Sequence, residues 1–421
     1  MRNHFRFKRQ LSDQGRLQVN AFALDVGKPA SDASVVITSR DTNEVVDELM
    51  TDSSGQSAII DLSAPPVDFS LEPESEVQPY SEYDVSVNLE GYEPVRLDGV
   101  QILSSTTALQ NVNLRPIVRD EVQPQDIVID PHTLWGIFPP KIPEDEVKPL
   151  PESVGFVVLP QPVIPEFVIV HEGVPTNTSA RNLWIPFKDY IKNVASCEIY
   201  STWPGASIRA NVLAILSFTL NRIYTEWYRG KGFDFTITNS TAFDQAFTYG
   251  RNIYQEISLI VDELFTNFIT RPDIRQPLLT QYCDGSRVRC PNMMEQWGSK
   301  TLADQGYDAI GILRYYYGQD IFLMQAEKVA GVPISYPGTA LQMGSTGPSV
   351  RTIQEQLNTI SNNYPAINKI RVDGVFGDQT RTAVETFQRI FNLPATGIVD
   401  FGTWYQISNI YVAVTKMAEL A

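Results

Sequence analysis

The sequence predicts a multidomain chain in three folded parts: an N-terminal all-β sandwich, a central α+β domain and a C-terminal three-helix domain. Three observations carry this. Short strand-like runs with turn residues between them fill residues 16–115, helical periodicity begins near Trp184, and a loop-plus-helix repeat follows residue 338. The boundaries that result are 1–115, 166–337 and 338–421, with a proline-rich segment at 116–165. At 421 residues, each part is long enough to bury a core of its own.

In the first part, "LQVNAFAL", "SVVITSR", "SAIIDL", "YDVSVNL" and "VQILSS" are short, partly alternating runs of Val, Ile, Leu and Tyr. "GKPASD", "DSSGQ" and "EGYEP" supply the turns. Regular short strands of this kind suggest a small sandwich. Residues 116–165 then hold 11 of the 28 prolines. Proline this dense resists helix and central strand and favours extended backbone. It reads either as a spacer or as a pro-segment presented to a protease.

The helical part opens with "FKDYIKNVASCEIY", is broken at "STWPGA", and resumes from about Ser207 to Tyr228 with Ile208, Val212, Ile215 and Thr219 on one stripe. Residues 251–269 and 307–318 read as two further helices, and 230–245 and 275–300 as strand and loop. The last part begins with the amphipathic "PSVRTIQEQLNTI", in which Val350, Ile353 and Leu357 have helical spacing. Gly374-x-Phe376-x-x-x-Thr380 recurs 23 residues on as Gly397-x-Val399-x-x-x-Thr403. In each copy a glycine turn precedes a threonine able to cap the next helix.

Composition bounds the function. With 43% hydrophobic and 19% charged residues the chain is globular. No signal-like apolar stretch follows the basic start, and "NVLAILSFTL" (211–220) is too short to span a bilayer, so neither export signal nor membrane span is expected. Residues 1–165 carry 12 basic and 26 acidic side chains (−14), 166–337 carry 15 and 17 (−2), and 338–421 carry 6 of each. This acidity argues against nucleic acid as a partner. Cys283 and Cys290 could pair or stay free, and Cys197 stands alone. With His4, His132 and His171 scattered, no metal site or cofactor is expected.

Glu198 stands out. Ile191, Val194, Ala195 and Glu198 share one face of the first helix, so a carboxylate falls on an otherwise apolar stripe. A carboxyl group with a desolvated charged form holds its proton to higher pH, as a general acid for glycosidic cleavage must. The competing reading is a structural carboxylate paired with Arg209 or Arg222, or one tilted to solvent at the helix end.

Four resemblances sharpen these readings. "TDSSGQSAI…YDVSVNLEGYEPV" resembles the carboxypeptidase-regulatory or transthyretin-like sandwich, a domain that is usually non-catalytic. "IQEQL", "DGVFGDQT", "AVETFQ" and "TGIVDFGTW" resemble the peptidoglycan-binding domain of bacterial wall hydrolases, which implies a wall-binding groove near Asp373, Phe376, Thr380 and Trp404. "DYIKNVASCEIYSTWPGASIRANVLAILSFTLNR" and "MMEQWGSKTLADQGYDAIGILRYYYG" resemble the SpoIID family of lytic transglycosylases. That likeness makes Glu198 the catalytic residue and Gln296 the polar member of the family's closing element; beside it, Gln281, Tyr282 and Gln296 are expected as substrate-orienting groups. The family's His-Gly segment is replaced here by "RVRCPNM", so that histidine's role is not carried over.

The order of parts, with "PHTLWGIFPPKIPEDEV", resembles SleC-type spore cortex-lytic enzymes. The resemblance implies a zymogen in the dormant spore, cut by a subtilisin-like germination protease near residues 156–158. Its target would be the MurNAc–GlcNAc bonds of cortex peptidoglycan, leaving 1,6-anhydromuramoyl ends. A hydrolytic muramidase and a non-catalytic wall-binding protein are the alternatives.

Overall fold

A computed structural model describes residues 13–24, 28–118, 123–150, 161–288, 290–332 and 334–419. The expected cut near 156–158 lies outside the described residues. The sandwich is built from β1 (Asp13–Ala23), β2 (Lys28–Pro29), β3 (Ser34–Ser39), β4 (Val45–Met50), β5 (Ile60–Ala64), β6 (Tyr80–Asn88), β7 (Val95–Leu103), β8 (Thr107–Leu114) and β9 (Gln125–Val128). One sheet has the order β4-β3-β6-β7-β9. In the other, β8 lies parallel to β1, with β2 and β5 antiparallel to opposite ends of β1. Leu17, Val19 and Ala21 of β1 alternate into the core, as do Val35 and Ile37 of β3 and Val85 and Val87 of β6. This is the period of two expected of half-buried strands.

Two features go beyond the sequence reading. β9 belongs to the proline-rich segment yet pairs in parallel with β7. Ile253–Tyr254, within the stretch read as helix, instead pairs with β8 and carries the sandwich sheet into the central domain. The linkage is polar as well as apolar. Asn252 Oδ1 accepts from Gln101 N–H and its Nδ2 donates to Gln101 O, both at 3.0 Å, while the Arg251 guanidinium donates to the Gln101 side chain.

The central domain is organised by α1 (Phe187–Glu198) and α2 (Gly205–Tyr224), with α3 (Gln255–Leu264), α4 (Gln296–Asp304) and α5 (Ala309–Tyr317) around them. α2 is buried on nearly all sides, as a helix with apolar residues around its whole circumference should be. Its polar groups find partners: the Ser217 hydroxyl donates to Leu278 O at 2.9 Å, and Asn221 Nδ2 to Pro277 O at 2.8 Å. Instead of one modest sheet there are several two- and three-stranded pieces. The helix read at 251–269 spans only 255–264, because both its ends are taken up by strand pairing. α4 starts inside the stretch read as strand and loop.

The C-terminal domain consists of α6 (Pro348–Ile360), α7 (Asp378–Ile390) and α8 (Phe401–Glu419) around Val350, Ile353, Leu357, Val384, Phe387 and Ile407. Phe401 and Tyr405 of α8 pack on Phe265 of the central domain, and Gln56 of the sandwich donates to Ile390 O at 2.7 Å. Among the described residues no helix is long and apolar enough to cross a membrane.

Candidate active site

α1 ends at Glu198 because Ile199 turns extended, and Pro204 then starts α2 with no intervening helical turn. The glutamate is 5% exposed. Three donors converge on its carboxylate. Ala246 N–H reaches Oε1 at 2.9 Å, while Gln296 Nε2 and the Thr133 hydroxyl reach Oε2 at 3.1 and 3.3 Å. Gln296 Nε2 also donates to the main-chain oxygen of Glu198 at 3.0 Å, locking the first residue of α4 onto the end of α1.

The competing structural reading required an arginine. Arg209 instead pairs with Glu263 at the surface. Arg222 is committed to Asp244 at 2.7 Å and to Glu144 at 2.5 Å. Among the described residues no basic side chain forms an ion pair with Glu198. Asp244, fully buried, is the acid whose environment the sequence reading missed. It accepts from Arg222, from the Tyr228 hydroxyl at 2.7 Å, and from the Thr238 amide and hydroxyl at 2.9 and 2.8 Å. That saturation makes it a structural anchor.

Glu198 borders a cavity of about 180 Å³. Gln296, Tyr282 and the Cys283–Cys290 disulfide loop form one wall, and the opposite wall comes from the proline-rich segment through Thr133, Phe138 and Lys141. The two cysteines left open by the sequence are thus joined, with Cα atoms 5.9 Å apart. Tyr282 is buried, and burial followed by the negative charge of Glu198 pushes its phenol well above the ordinary range. Burial lowers the pKa of Lys141, an effect that Glu198 and Asp244 partly offset. Its ammonium sits over the rings of Tyr282 and Phe218, 4.8 and 5.1 Å from their centroids. Gln281 does not face the cavity with its amide, which is spent on the main chain of Ile142 and Glu144.

The four C-terminal residues fall together in one domain, apart from Glu198. Phe376 and Trp404 are 0% exposed and Thr380 is 2% exposed, so they build the core, where no docked polymer reaches them. Gln354 organises the first repeat. Its Nε2 donates to Asp373 Oδ1, Val375 O and Thr380 Oγ1, and its Oε1 accepts from Gly374 N–H at 2.8 Å. Gln388 does the same in the second repeat, donating to Ile398 O and Thr403 Oγ1 and accepting from Gly397 N–H at 2.8 Å. Gly374 and Gly397 both have positive φ, 75° and 69°, which explains the conserved spacing within the chain. The threonines expected as caps are acceptors for these glutamines. Asp400 instead accepts from Thr403 N–H at 2.8 Å at the start of α8.

The family model described as a peptidoglycan binding domain matches residues 346–407. The chain therefore carries a peptidoglycan-binding domain at its C-terminal end, and peptidoglycan is a partner. No curated protein matches the chain. Among solved structures, the SleB N-terminal domain is 28% identical over 18% of this chain and 99% of that one, with a TM-score of 0.16. The 5-hydroxyisourate hydrolase of Klebsiella pneumoniae is 14% identical over 24% of this chain and 86% of that one, TM-score 0.17. The Bacillus anthracis TIE protein is 14% identical over 25% and 18%, TM-score 0.18.

Proposed function

We propose that the chain is the precursor of a peptidoglycan lytic transglycosylase acting on spore cortex during germination, with Glu198 as its catalytic residue. The observation that carries this reading is a carboxylate without an ion pair among the described residues, held by Gln296 and Ala246 at the edge of a cavity, in a chain that also binds peptidoglycan. Glu198 would protonate the glycosidic oxygen between muramic acid and glucosamine. As carboxylate it would then take the proton from the muramoyl C6 hydroxyl, which attacks C1 and closes a 1,6-anhydro ring. One group serves as acid and then base, so no second carboxylate need stand at the fixed separation of two-acid glycosidases. Gln296 would orient Glu198 through its two hydrogen bonds, and Tyr282 would line the sugar site.

The proline-rich segment supports the zymogen part of the proposal, because Thr133, Phe138 and Lys141 occupy one side of the cavity where substrate would lie. Cutting near residues 156–158 by a germination protease of the subtilisin type would separate that segment from the central domain in sequence. The test is mass spectrometry of fragments released from purified spore cortex by the intact chain and by the cut form freed of its N-terminal piece. Anhydro-ended fragments from the cut form alone support the proposal. Reducing ends would show a hydrolase, and no release from either form would show a binding protein.

A further inference from the structure

Residues 141–148 are held in the way a receptor holds a peptide. Gln281 clamps two successive points of their main chain, donating from Nε2 to Ile142 O at 2.8 Å and accepting from Glu144 N–H at 2.8 Å. Gln276 repeats the device four residues on, accepting from Lys148 N–H at 3.0 Å and donating to Lys148 O at 2.9 Å. Leu279 N–H donates to Glu146 O at 2.8 Å between them. These contacts read backbone, as side-chain amides do when they bind an extended chain that has no strand partner.

The side chains add specificity. The Arg222 guanidinium, fully buried, grips Glu144 through both terminal nitrogens at 2.5 and 3.2 Å. Burial alone would raise the Glu144 pKa, but hydrogen bonds from Arg222 and Lys148 bring it below the ordinary range. Arg271 pairs with Glu146 at 2.7 Å in a more exposed position. Lys148 lies 4.6 Å from the Trp227 ring centroid, and Lys141 fills the space over Tyr282.

We propose that the groove lined by Arg222, Arg271, Gln276 and Gln281 is a binding site for an extended acidic peptide, whose resident ligand is residues 141–148 of this chain, and that this ligand stays seated after the chain is cut. Every contact named joins residues 141–148 to residues 222–282 without a covalent bond, and neither partner lies within 151–160, so scission there breaks none of them. Cutting and opening are then two events, with release of the bound segment the second. As regulation this rests on the reading of the Glu198 cavity as a working site, but the binding does not, and it is tested without an activity assay.

The experiment places a specific protease sequence within residues 151–160 of the full chain and follows amide hydrogen exchange before and after the cut. The probes are the amides of Glu144 and Lys148, with Ala21 of β1 as a control in the sandwich. In the parent protein, exchange at Glu144 and Lys148 is expected to change less than about 3-fold on cutting. In Glu144→Gln, which leaves the buried Arg222 without its second carboxylate, the same amides of the cut protein should exchange faster by on the order of 100-fold, with Ala21 unaffected. If that variant does not fold, Gln276→Ala removes both clamps at Lys148 and should give the same selective loss. Loss of protection at 144 and 148 on cutting the parent protein overturns the proposal, as does unchanged exchange in the variants. Failure of cortex cleavage by cut protein freed of its N-terminal piece, with protection retained before that removal, would count against the proposed activity only.

Discussion

Replacing Glu198 by glutamine separates a catalytic role from a structural one. The amide oxygen can keep the 2.9 Å bond from Ala246 N–H, which leaves the new NH2 facing two donors, Gln296 Nε2 and the Thr133 hydroxyl. Thr133 can rotate its hydrogen away and accept instead. Gln296 cannot turn over without giving up its 3.0 Å bond to the main-chain oxygen of residue 198. One to two hydrogen bonds are therefore lost, worth about 1–3 kcal/mol in a buried site. A domain of this size loses roughly 2–4 °C of melting temperature per kcal/mol. The chemical consequence is far larger, since a positioned acid and base contributes about 10²–10⁴-fold to such a step. The assay pairs a thermal melt with the rate of anhydro-ended fragment release by cut protein from which the N-terminal piece has been removed. A fold that melts a few degrees lower while release drops at least 100-fold is the expected result. Release within tenfold of the parent would refute the assignment of Glu198.

Two other predictions follow from buried polar groups. Gln354→Ala should leave Gly374 N–H and the Asp373 turn without their shared partner, costing about 2–4 kcal/mol, and should weaken wall binding through loss of the fold, with Gln388→Ala doing the same in the second repeat. Thermal melts beside sedimentation with purified wall would check it, and a stable variant that still lost binding would point to direct ligand contact. His132 is fully buried between Tyr80 and Tyr200, with Arg251 the charged neighbour, and its ring nitrogens meet Leu134 N–H and Ile199 O. Burial first, and Arg251 second, hold its pKa well below 6.5. The unfolded chain binds the proton more readily than the folded one, so this contribution is complete above about pH 6.5 and is lost as the pH falls, by at most about 2 kcal/mol at pH 5. The difference in melting temperature between pH 7.5 and pH 5 should therefore shrink in His132→Asn, and an unchanged difference would exclude the histidine as its source.

How far the sequence could be read depended on the range of each contact. The apolar face that includes Glu198 is local, running from Ile191 to Glu198 over about two turns of one helix, and the glycine-and-threonine repeat is local too, so both were legible. The donor Thr133 lies 65 residues before Glu198 in sequence, and nothing in "PHTLWG" announces it. Density of proline was a true signal of extended backbone but a poor guide to packing. Extended chain can still satisfy its N–H and C=O groups through glutamine side chains, as residues 142–148 do. At Ile253 and Tyr254 helical periodicity lost to tertiary context, because the free edge of β8 supplied hydrogen bonds that one more helical turn would not have replaced. Phe376 and Trp404 were legible as members of a motif, and burial then separated what the motif needs in order to fold from what it can offer a ligand.

The uneven charge of the chain suggests an electrostatic latch, and the structure narrows it to one pair. Residues 1–165 carry a net charge of −14, yet most of that acidity lies on exposed sandwich positions such as Glu48, Asp52 and Glu90. Exposed charges more than about 8 Å apart are largely screened at physiological salt, and exposed ion pairs such as Arg271–Glu146 contribute little. Glu144 differs because its partner Arg222 is shut away from solvent on every side. Raising NaCl from low to high concentration should therefore change the exchange of the Glu144 and Lys148 amides by less than about 3-fold. Glu146→Gln should behave like high salt, and Glu144→Gln should not. Steep salt dependence of that exchange would assign the latch to the diffuse acidity of the sandwich and take it away from the buried pair.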